Sequence, residues 1–346
     1  MISKITGCIL GAAAGDAMGA ATEGKSTQQI IMTFGGPVDD FRDPPRDVPA
    51  RGRKAGQVTD AFSIPYMLTE EIIQNGGSIT TRIASEALLR WGDSEYFEPF
   101  AGMTTRKAVI RMNENKHLNT WDQIGHLGNK LFKGHYYALS SNGAAVKAYP
   151  AALFSGGDID TAIDNAVRIT LSSHDDPYSV SGACAVAAAV AAAMNTSSVY
   201  EIVSAAMYGA EKGEETARAT EGICVYPGPS VVKRLDMAIE TALHYSGERN
   251  AADEIRDRIG CGPAIAETVP AAIGIIIARK GDPAACIRDA VNIGDETSAI
   301  ASIAGAVTGT MHGCSAFPQW YPEFLNKANS IDICRQAEAV LRICQD

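Results

Sequence analysis

The sequence lacks a paired-cysteine motif and lacks any cluster of basic residues. Its eight cysteines are scattered along the chain without a CxxC pair, which indicates buried free thiols in a reducing cytoplasm, although an even number leaves disulfides open. Lysine and arginine number 30 against 40 aspartates and glutamates, a net charge of -10. Because binding to a phosphate backbone depends on clustered basic side chains, we exclude nucleic acid as a partner.

Long apolar runs are also missing. The two longest, residues 183–194 and 269–278, are shorter than the roughly 20 residues that a membrane-spanning helix needs. We therefore expect a soluble, cytoplasmic protein with no membrane partner. Its oligomeric state is left open by the sequence.

Alternating strand patterns are almost absent, whereas helical periodicity is strong. The pattern predicts an all-α fold, a compact arrangement of many helices in a single domain over residues 1–346. Many of these helices are rich in alanine, glycine and serine, so their axes can approach closely. Helices are predicted over residues 80–91, 177–194, 198–212, 253–259, 267–279, 283–291, 296–312 and 331–344.

The least regular region is residues 34–57, which is rich in proline, glycine and charge. We interpret it as a long loop. A loop of this length in a compact domain is more often functional than filler, so we predict that it acts as a lid over a site.

The stretch ILGAAAGDAMGAATEG, residues 9–24, permits two interpretations. Its apolar run followed by small residues is similar to a signal peptide. However, Gly7, Gly11 and Gly15 recur at every fourth position, which places them on one helix face where another backbone can come close. We therefore favour a buried helix that brings Asp16 and Glu23 to a site.

Carboxylates and hydroxyls stand at the starts of two predicted helices, as Thr59-Asp60 and as Asp295-Glu296-Thr297-Ser298. Acidic residues at a helix start are first of all good capping residues. Two such clusters in one all-α chain also suggest oxygen ligands for a hard cation such as Mg²⁺.

Six motifs occur in the order seen in the ADP-ribosylglycohydrolase family, and the resemblance covers about residues 5–320. They are the glycine-spaced start with Asp16 and Glu23, Thr59-Asp60, Asn142-Gly143 in SSNGAAVKAYP, His174 in TLSSHDDP, Glu267 in ETVPAAI, and ETSAIASIAGAVTGTMHG.

The resemblance implies an all-α protein that hydrolyses the bond at the anomeric carbon of an ADP-ribosyl group or a related riboside. It implies catalytic roles for Glu23 and Asp60. It also implies that Asn142-Gly143 and His174 lie against the substrate, with Asp16 in the same substrate-binding set.

Active members of the family typically hold two Mg²⁺ ions, and this sequence departs from their ligand motifs. Ala61 stands where the family has a second aspartate after Thr59-Asp60, as an engineered ligand substitution or natural drift would leave it. The later motif falls on Glu296 and Ser298, with Asp295 as a stand-in if the loop shifts register. We predict at most one tightly held Mg²⁺ ion, bound by Thr59, Asp60, Asp295 or Glu296, and Ser298.

The leaving group of the substrate stays open. An ADP-ribosylated side chain, an ADP-ribose derivative and a simple nucleoside all present the same ribose, so a nucleoside N-glycosidase is an alternative enzyme. A catalytically inactive ligand-binding or structural homologue is the alternative from another class.

Overall fold

The structure is a computed structural model that describes residues 1–114 and 140–345. Within these ranges the regular structure is helical and no β-strand occurs, which confirms the all-α prediction. The helices are α1 (Ile2–Gly19), α2 (Thr27–Phe34), α3 (Asp60–Gln74), α4 (Thr81–Gly92), α5 (Phe97–Phe100), α6 (Met103–Glu114), α7 (Gly143–Val146), α8 (Tyr149–Leu153), α9 (Ile159–Thr170), α10 (Pro177–Asn195), α11 (Val199–Ala219), α12 (Val231–His244), α13 (Ala251–Ile259), α14 (Ile265–Ala278), α15 (Pro283–Asn292), α16 (Thr297–His312), α17 (Tyr321–Asn329) and α18 (Ile333–Gln345).

Helices α1 and α16 run antiparallel with their backbones in direct contact. A Cβ atom built on Gly11 would lie 2.0 Å from the carbonyl oxygen of Gly305, and one on Gly7 would lie 2.2 Å from that of Gly309. These distances leave room for hydrogen only, so glycine is required on this face. The predicted glycine-faced helix is confirmed, and its partner is the second helix rich in small residues.

Several predicted helix starts coincide with observed caps. The Thr80 side chain accepts a hydrogen bond from the backbone nitrogen of Ile83 at 3.2 Å, and Asp176 caps α10 in the same way. Helix α11 continues to Ala219, beyond the predicted end near residue 212. Gly213 lies inside this helix and does not end it. A Cβ atom at this position would lie 2.8 Å from the Cβ of Cys184, so the absence of a side chain lets α10 and α11 pack closely.

Helix α10 lies at the centre of the apolar core. An 18-residue stretch of this 19-residue helix has a mean hydropathy of 1.5, so it is long and apolar enough to cross a membrane, but 94% of that stretch is buried inside the fold. Burial among other helices identifies it as a core helix. The apolar core around it draws on most of the helices, including the first and the last, α1 and α18. All eight cysteines are free thiols.

Eight helices of the described residues lie outside the predicted set: α2, α5, α6, α7, α8, α9, α12 and α17. The predicted long loop is confirmed as irregular chain, since residues 35–59 contain no helix. Its residues Pro49 and Ala50 line the cavity that contains Glu23, Asp60 and Glu296. The loop therefore lies where a lid would, although its closing stays a prediction.

Candidate active site

The candidate site is a cavity of about 620 Å³ at the meeting point of several helix starts. Its acidic wall is formed by the end of α1 and by the starts of α3 and α16. Much of the remaining lining comes from the start of α6 and from the two loops that precede α7 and α14. The predicted site residues on its lining are Glu23, Thr59, Asp60, Asn142, Gly143, Glu296 and Ser298.

Asp16 lies behind the acidic wall, fully buried. Its carboxylate accepts hydrogen bonds from the backbone nitrogen of Thr59 at 2.8 Å, the hydroxyl of Thr59 at 2.6 Å and the backbone nitrogen of Phe62 at 2.9 Å. Asp16 is therefore positioned to hold the first turn of α3, and its predicted contact with substrate is not part of this arrangement. Burial raises its pKa to about 7, although these hydrogen bonds act in the opposite direction.

Asp60 is the first residue of α3 and faces the cavity. Burial raises the pKa of its carboxyl to about 8, with further contributions from the negative charges of Asp16 and Glu296. At neutral pH and without a neighbouring cation, this side chain is therefore mostly protonated.

Glu23 binds the amino end of α16 from the turn that follows α1. Its Oε2 accepts a hydrogen bond from the backbone nitrogen of Ser298 at 2.7 Å and one from the hydroxyl of Thr297 at 3.2 Å. The first amides of a helix have no partner within the helix, so a carboxylate there is stabilised. Burial and the charge of Glu296 nevertheless raise the pKa of Glu23 well above its usual range.

Of the two adjacent acidic residues before α16, the structure brings Glu296 and not Asp295 into the cavity. Glu296 accepts a hydrogen bond from the Nδ2 of Asn142 at 2.7 Å. Asp295 adopts a left-handed backbone conformation with φ of 53° and lines a neighbouring depression instead. The register shift that would let Asp295 replace Glu296 as a ligand is thus not observed.

The acidic residues do not form a compact metal cage. Within residues 1–114 and 140–345, no group of three His, Cys, Asp or Glu side chains is close enough to hold one metal ion. Ala61 sits in the first turn of α3 with 2% of its surface exposed, so no carboxylate occupies that position. Any cation must therefore be held by fewer carboxylates, with hydroxyl oxygens completing the set.

His174 is fully buried behind the loop that carries Asn142 and Gly143. Its Nε2 lies 2.8 Å from the Oγ of Ser141, and its Nδ1 lies 2.8 Å from the Oγ of Ser173. Burial lowers the pKa of His174 well below its usual range, so the ring is neutral. The ring reaches the cavity through Ser141, and its direct contact with substrate stays a prediction.

Two loops that sequence reasoning did not combine are joined at the cavity. The backbone nitrogen of Asn142 donates to the carbonyl of Pro263 at 2.9 Å, and that of Ile265 donates to the carbonyl of Ser140 at 2.9 Å. This pairing fixes the Asn142-Gly143 turn against the start of α14. The motif SSNG suggested the turn, but a pairing with residues more than a hundred positions away leaves no local signal.

Ser141 and Glu267 also line the cavity and received no role from the sequence. Glu267 forms an ion pair with Arg234, with 3.3 Å between Oε1 and Nη1. Its Oε2 accepts a hydrogen bond from the backbone nitrogen of Gly262 at 3.0 Å. Glu267 is the first residue of the ETVPAAI motif, and the ion pair with Arg234 occupies one of its two carboxylate oxygens.

Comparison of the chain with known proteins gives a family match. The family model described as ADP-ribosylglycohydrolase matches residues 1–345. YegU, an uncharacterized protein of Escherichia coli (strain K12), is 25% identical over 348 residues, covering 99% of this chain and 97% of that protein. An uncharacterized protein of Archaeoglobus fulgidus is 26% identical over 314 residues, covering 89% and 88%.

Among solved structures, an ADP-ribosylglycohydrolase-related protein complex superposes with a TM-score of 0.67. Its sequence identity is 19%, and the match covers 99% of this chain and 98% of that chain. At this identity the likeness concerns the fold.

Proposed function

Because the chain belongs to the ADP-ribosylglycohydrolase family, we propose that it hydrolyses a ribosyl glycosidic bond in an ADP-ribosyl group or a related riboside. The observation that carries the proposal is the convergence of Glu23, Asp60 and Glu296 on one cavity. Hydrolysis at an anomeric carbon passes through an oxocarbenium-like state, which nearby carboxylates stabilise.

Glu23 is the acid/base group in this proposal. Water adds to the anomeric carbon, the bond to the leaving group breaks, and one proton must pass from the water side to the leaving group. A carboxyl whose pKa lies well above its usual range holds a proton more readily than an ordinary glutamate and can therefore act as a general acid as well as a base. The amide of Ser298 and the hydroxyl of Thr297 fix the side chain while this happens.

The oxygen donors of the cavity fit one hard cation such as Mg²⁺. Burial and the negative charges of Asp16 and Glu296 make ionisation of Asp60 costly, and a cation bound between these carboxylates would reduce that cost. Thr59 and Ser298 supply hydroxyl oxygens on the same wall. When bound, the ion would orient the ribose hydroxyls or the water. We propose a single ion, because Ala61 stands where the family has a further carboxylate ligand and because, within residues 1–114 and 140–345, no three acidic side chains lie close enough to hold one metal ion together.

The test is a hydrolysis assay with three substrates: an ADP-ribosylated peptide, an ADP-ribose derivative and a panel of nucleosides. We expect turnover of at least one class with Mg²⁺ present. Glu23→Gln should lower kcat by about 10² or more. Glu240→Gln, an exposed glutamate on α12, is the matched control. Equal activity of the Glu23→Gln variant would overturn the assignment, and turnover of nucleosides alone would identify a nucleosidase.

A second candidate function is binding without turnover, and the alanine at position 61 favours it. Calorimetry with Mg²⁺ and ADP-ribose on the protein and on Ala61→Asp separates the two candidates. If Ala61→Asp gains both metal affinity and turnover, the cavity is a glycohydrolase site with one ligand missing. If the protein binds ADP-ribose and neither version turns over any substrate, it is a binding protein.

A further inference from the structure

Lys147 is a buried cation that the proposed chemistry does not use. It follows α7 directly, and 1% of its surface is exposed. Its Nζ contacts the Oγ of Ser173 and lies 3.5 Å from the Oγ of Ser172. In the described part of the chain no carboxylate forms an ion pair with it. Burying a charge without a counter-charge is costly, and a positioning role at the cavity would account for that cost.

A continuous row of hydrogen-bonding atoms leads from this lysine to the cavity. The Oγ of Ser173 contacts Lys147 on one side and the Nδ1 of His174 on the other, at 2.8 Å. The Nε2 of His174 lies 2.8 Å from the Oγ of Ser141. Ser141 lines the cavity beside Asn142. Three of the four residues in the row are buried, and only Ser141 reaches the cavity.

The chemistry of the groups fixes the direction of this row. An ammonium group has donors and no acceptor, so Ser173 must accept from Lys147 and has its own hydrogen free to donate. It then donates to Nδ1 of the neutral His174, which places the ring hydrogen on Nε2. Nε2 donates to the oxygen of Ser141, whose hydroxyl hydrogen is left to point elsewhere.

We infer that Lys147, Ser173 and His174 are positioning residues that hold the Ser141 hydroxyl as a hydrogen-bond donor to an oxygen atom of the substrate. The inference rests on the proposed function for the identity of the substrate as a riboside. The direction of the row is independent of the substrate and can be tested without it.

The first test measures which nitrogen of His174 bears the hydrogen. Two-bond ¹H–¹⁵N correlation spectra of the ¹⁵N-histidine-labelled protein, compared with His174→Gln to assign the signal, should show the Nε2–H form at about pH 6, where Lys147 is charged since burial lowers its pKa to about 7. Lys147→Met should shift the ring toward the Nδ1–H form, because Ser173 no longer has to accept from position 147. An Nδ1–H ring in the unaltered protein would overturn the inference, whatever the enzyme assay shows.

Matched variants separate the row from general effects of burial. Lys25 is also a buried lysine, 4% exposed, but it pairs with Asp47. Lys25→Met should leave the His174 signal unchanged. Should Lys147→Met fail to fold, Ser173→Ala removes the donor to Nδ1 without touching the lysine and should give the same shift. No shift in Ser173→Ala would contradict the inference.

The second test uses binding of ADP-ribose by calorimetry. Ser141→Ala and Lys147→Met should each weaken binding about tenfold, and the double variant should be no weaker than either single one, because both act on one hydrogen bond. His174→Gln should keep most of the affinity, since its amide can donate to Ser141, whereas His174→Leu should not. Additive losses, or full affinity in Lys147→Met, would overturn the inference. If the unaltered protein does not bind ADP-ribose, the substrate assignment fails and the ring measurement alone decides on the row.

Discussion

Asp16 shows how one buried carboxylate organises the acidic wall of the cavity without lying on it. It satisfies two backbone amides and one hydroxyl at the start of α3, which are groups that an α-helix cannot satisfy internally. The sequence identified Asp16 as important through its spacing from the glycines. Spacing along a helix gives the face of a residue, but not the depth of its side chain, so the assignment to substrate contact could not be checked from the pattern.

Asp16→Asn and Asp16→Ala should therefore differ sharply. An asparagine oxygen can accept from the two amides that now donate to Oδ2, and its amide can donate to Thr59, so we expect a nearly unchanged free energy of unfolding. Alanine leaves buried donors unsatisfied at about 1–3 kcal/mol each, and should lower the free energy of unfolding by about 3 kcal/mol or more. Urea unfolding of both variants measures the difference, and equal losses would contradict this account.

Lys147→Met should raise the stability of the protein while it weakens ligand binding. The methionine replaces a buried charge with an apolar chain of similar length, so the cost of desolvating the ammonium disappears. We expect a gain of about 1–2 kcal/mol in the free energy of unfolding at about pH 6. A loss of stability in thermal unfolding experiments would indicate that the lysine is structural.

At the scale of elements, the pairing of α1 with α16 determines where the acidic wall forms. The two backbones touch along a face of small residues, and the pairing ends where Gly19 lies against Ser298. Beyond that point the Glu23 side chain extends from the turn after α1, and its Oε2 accepts a hydrogen bond from the backbone nitrogen of Ser298 at 2.7 Å. The distance between the end of α1 and the start of α16 is thus set by the absence of Cβ atoms at these glycines.

Gly11→Ala should disrupt this pairing. Its new Cβ would lie 2.0 Å from the carbonyl oxygen of Gly305, so the helices must separate and we expect a loss of about 2–4 kcal/mol in the free energy of unfolding. Activity should fall as well, because Glu23 and Ser298 move apart. Gly36→Ala is the control, since nothing lies within 4 Å of its added Cβ and its φ is not positive; a change there of more than about 0.5 kcal/mol would argue against the packing explanation.

Local sequence signals predict well where many of the helices lie, but they predict poorly which segments of the chain contact one another. The four-residue glycine spacing and the Asp176-Pro177 start both correspond to observed features, because both depend on residues within one turn. Helix α9 is absent from the prediction although Asp158 caps it. The joining of Ser141 to the loop before α14 involves residues far apart in sequence, so periodicity carries no information about it.

At the scale of the whole molecule, burial of acidic groups makes stability depend on pH. Glu23, Asp60 and Glu296 all have raised pKa values because burial disfavours their charged forms. The protein also carries a net charge of -10, which adds to the general cost of negative charge. A bound cation would reduce this cost at one place.

Without divalent cations, the free energy of unfolding should fall as the pH rises from about 4 toward 8. The pKa of Asp60 is about 8 in the folded protein against an ordinary value of 3.8. The folded state therefore holds this proton more tightly, so each pH unit in that window removes up to about 1.4 kcal/mol for one such group. Urea titrations at several pH values, with and without Mg²⁺, measure the slope.

Asp60→Asn should reduce the fall of the free energy of unfolding with rising pH, and it should also abolish most of the stabilisation by Mg²⁺. Glu240→Gln, on the exposed face of α12, should leave the slope as it is. A slope unchanged by Asp60→Asn would mean that other groups carry the pH dependence.

The hydrogen bond between Glu23 and the Ser298 amide joins residues 275 positions apart. During synthesis at about 5–20 residues per second, the glycine face of α1 would therefore stay uncovered for roughly 15–55 s, until α16 is synthesised. A nascent chain that ends between α3 and α16 contains Glu23 and Asp60 but lacks the Ser298 amide that holds Glu23 in place. A chain that terminates before α16 would thus lack a complete site. Its apolar helix α1 would also lack the helix that covers its glycine face, so the chain would be a target for chaperones and proteases.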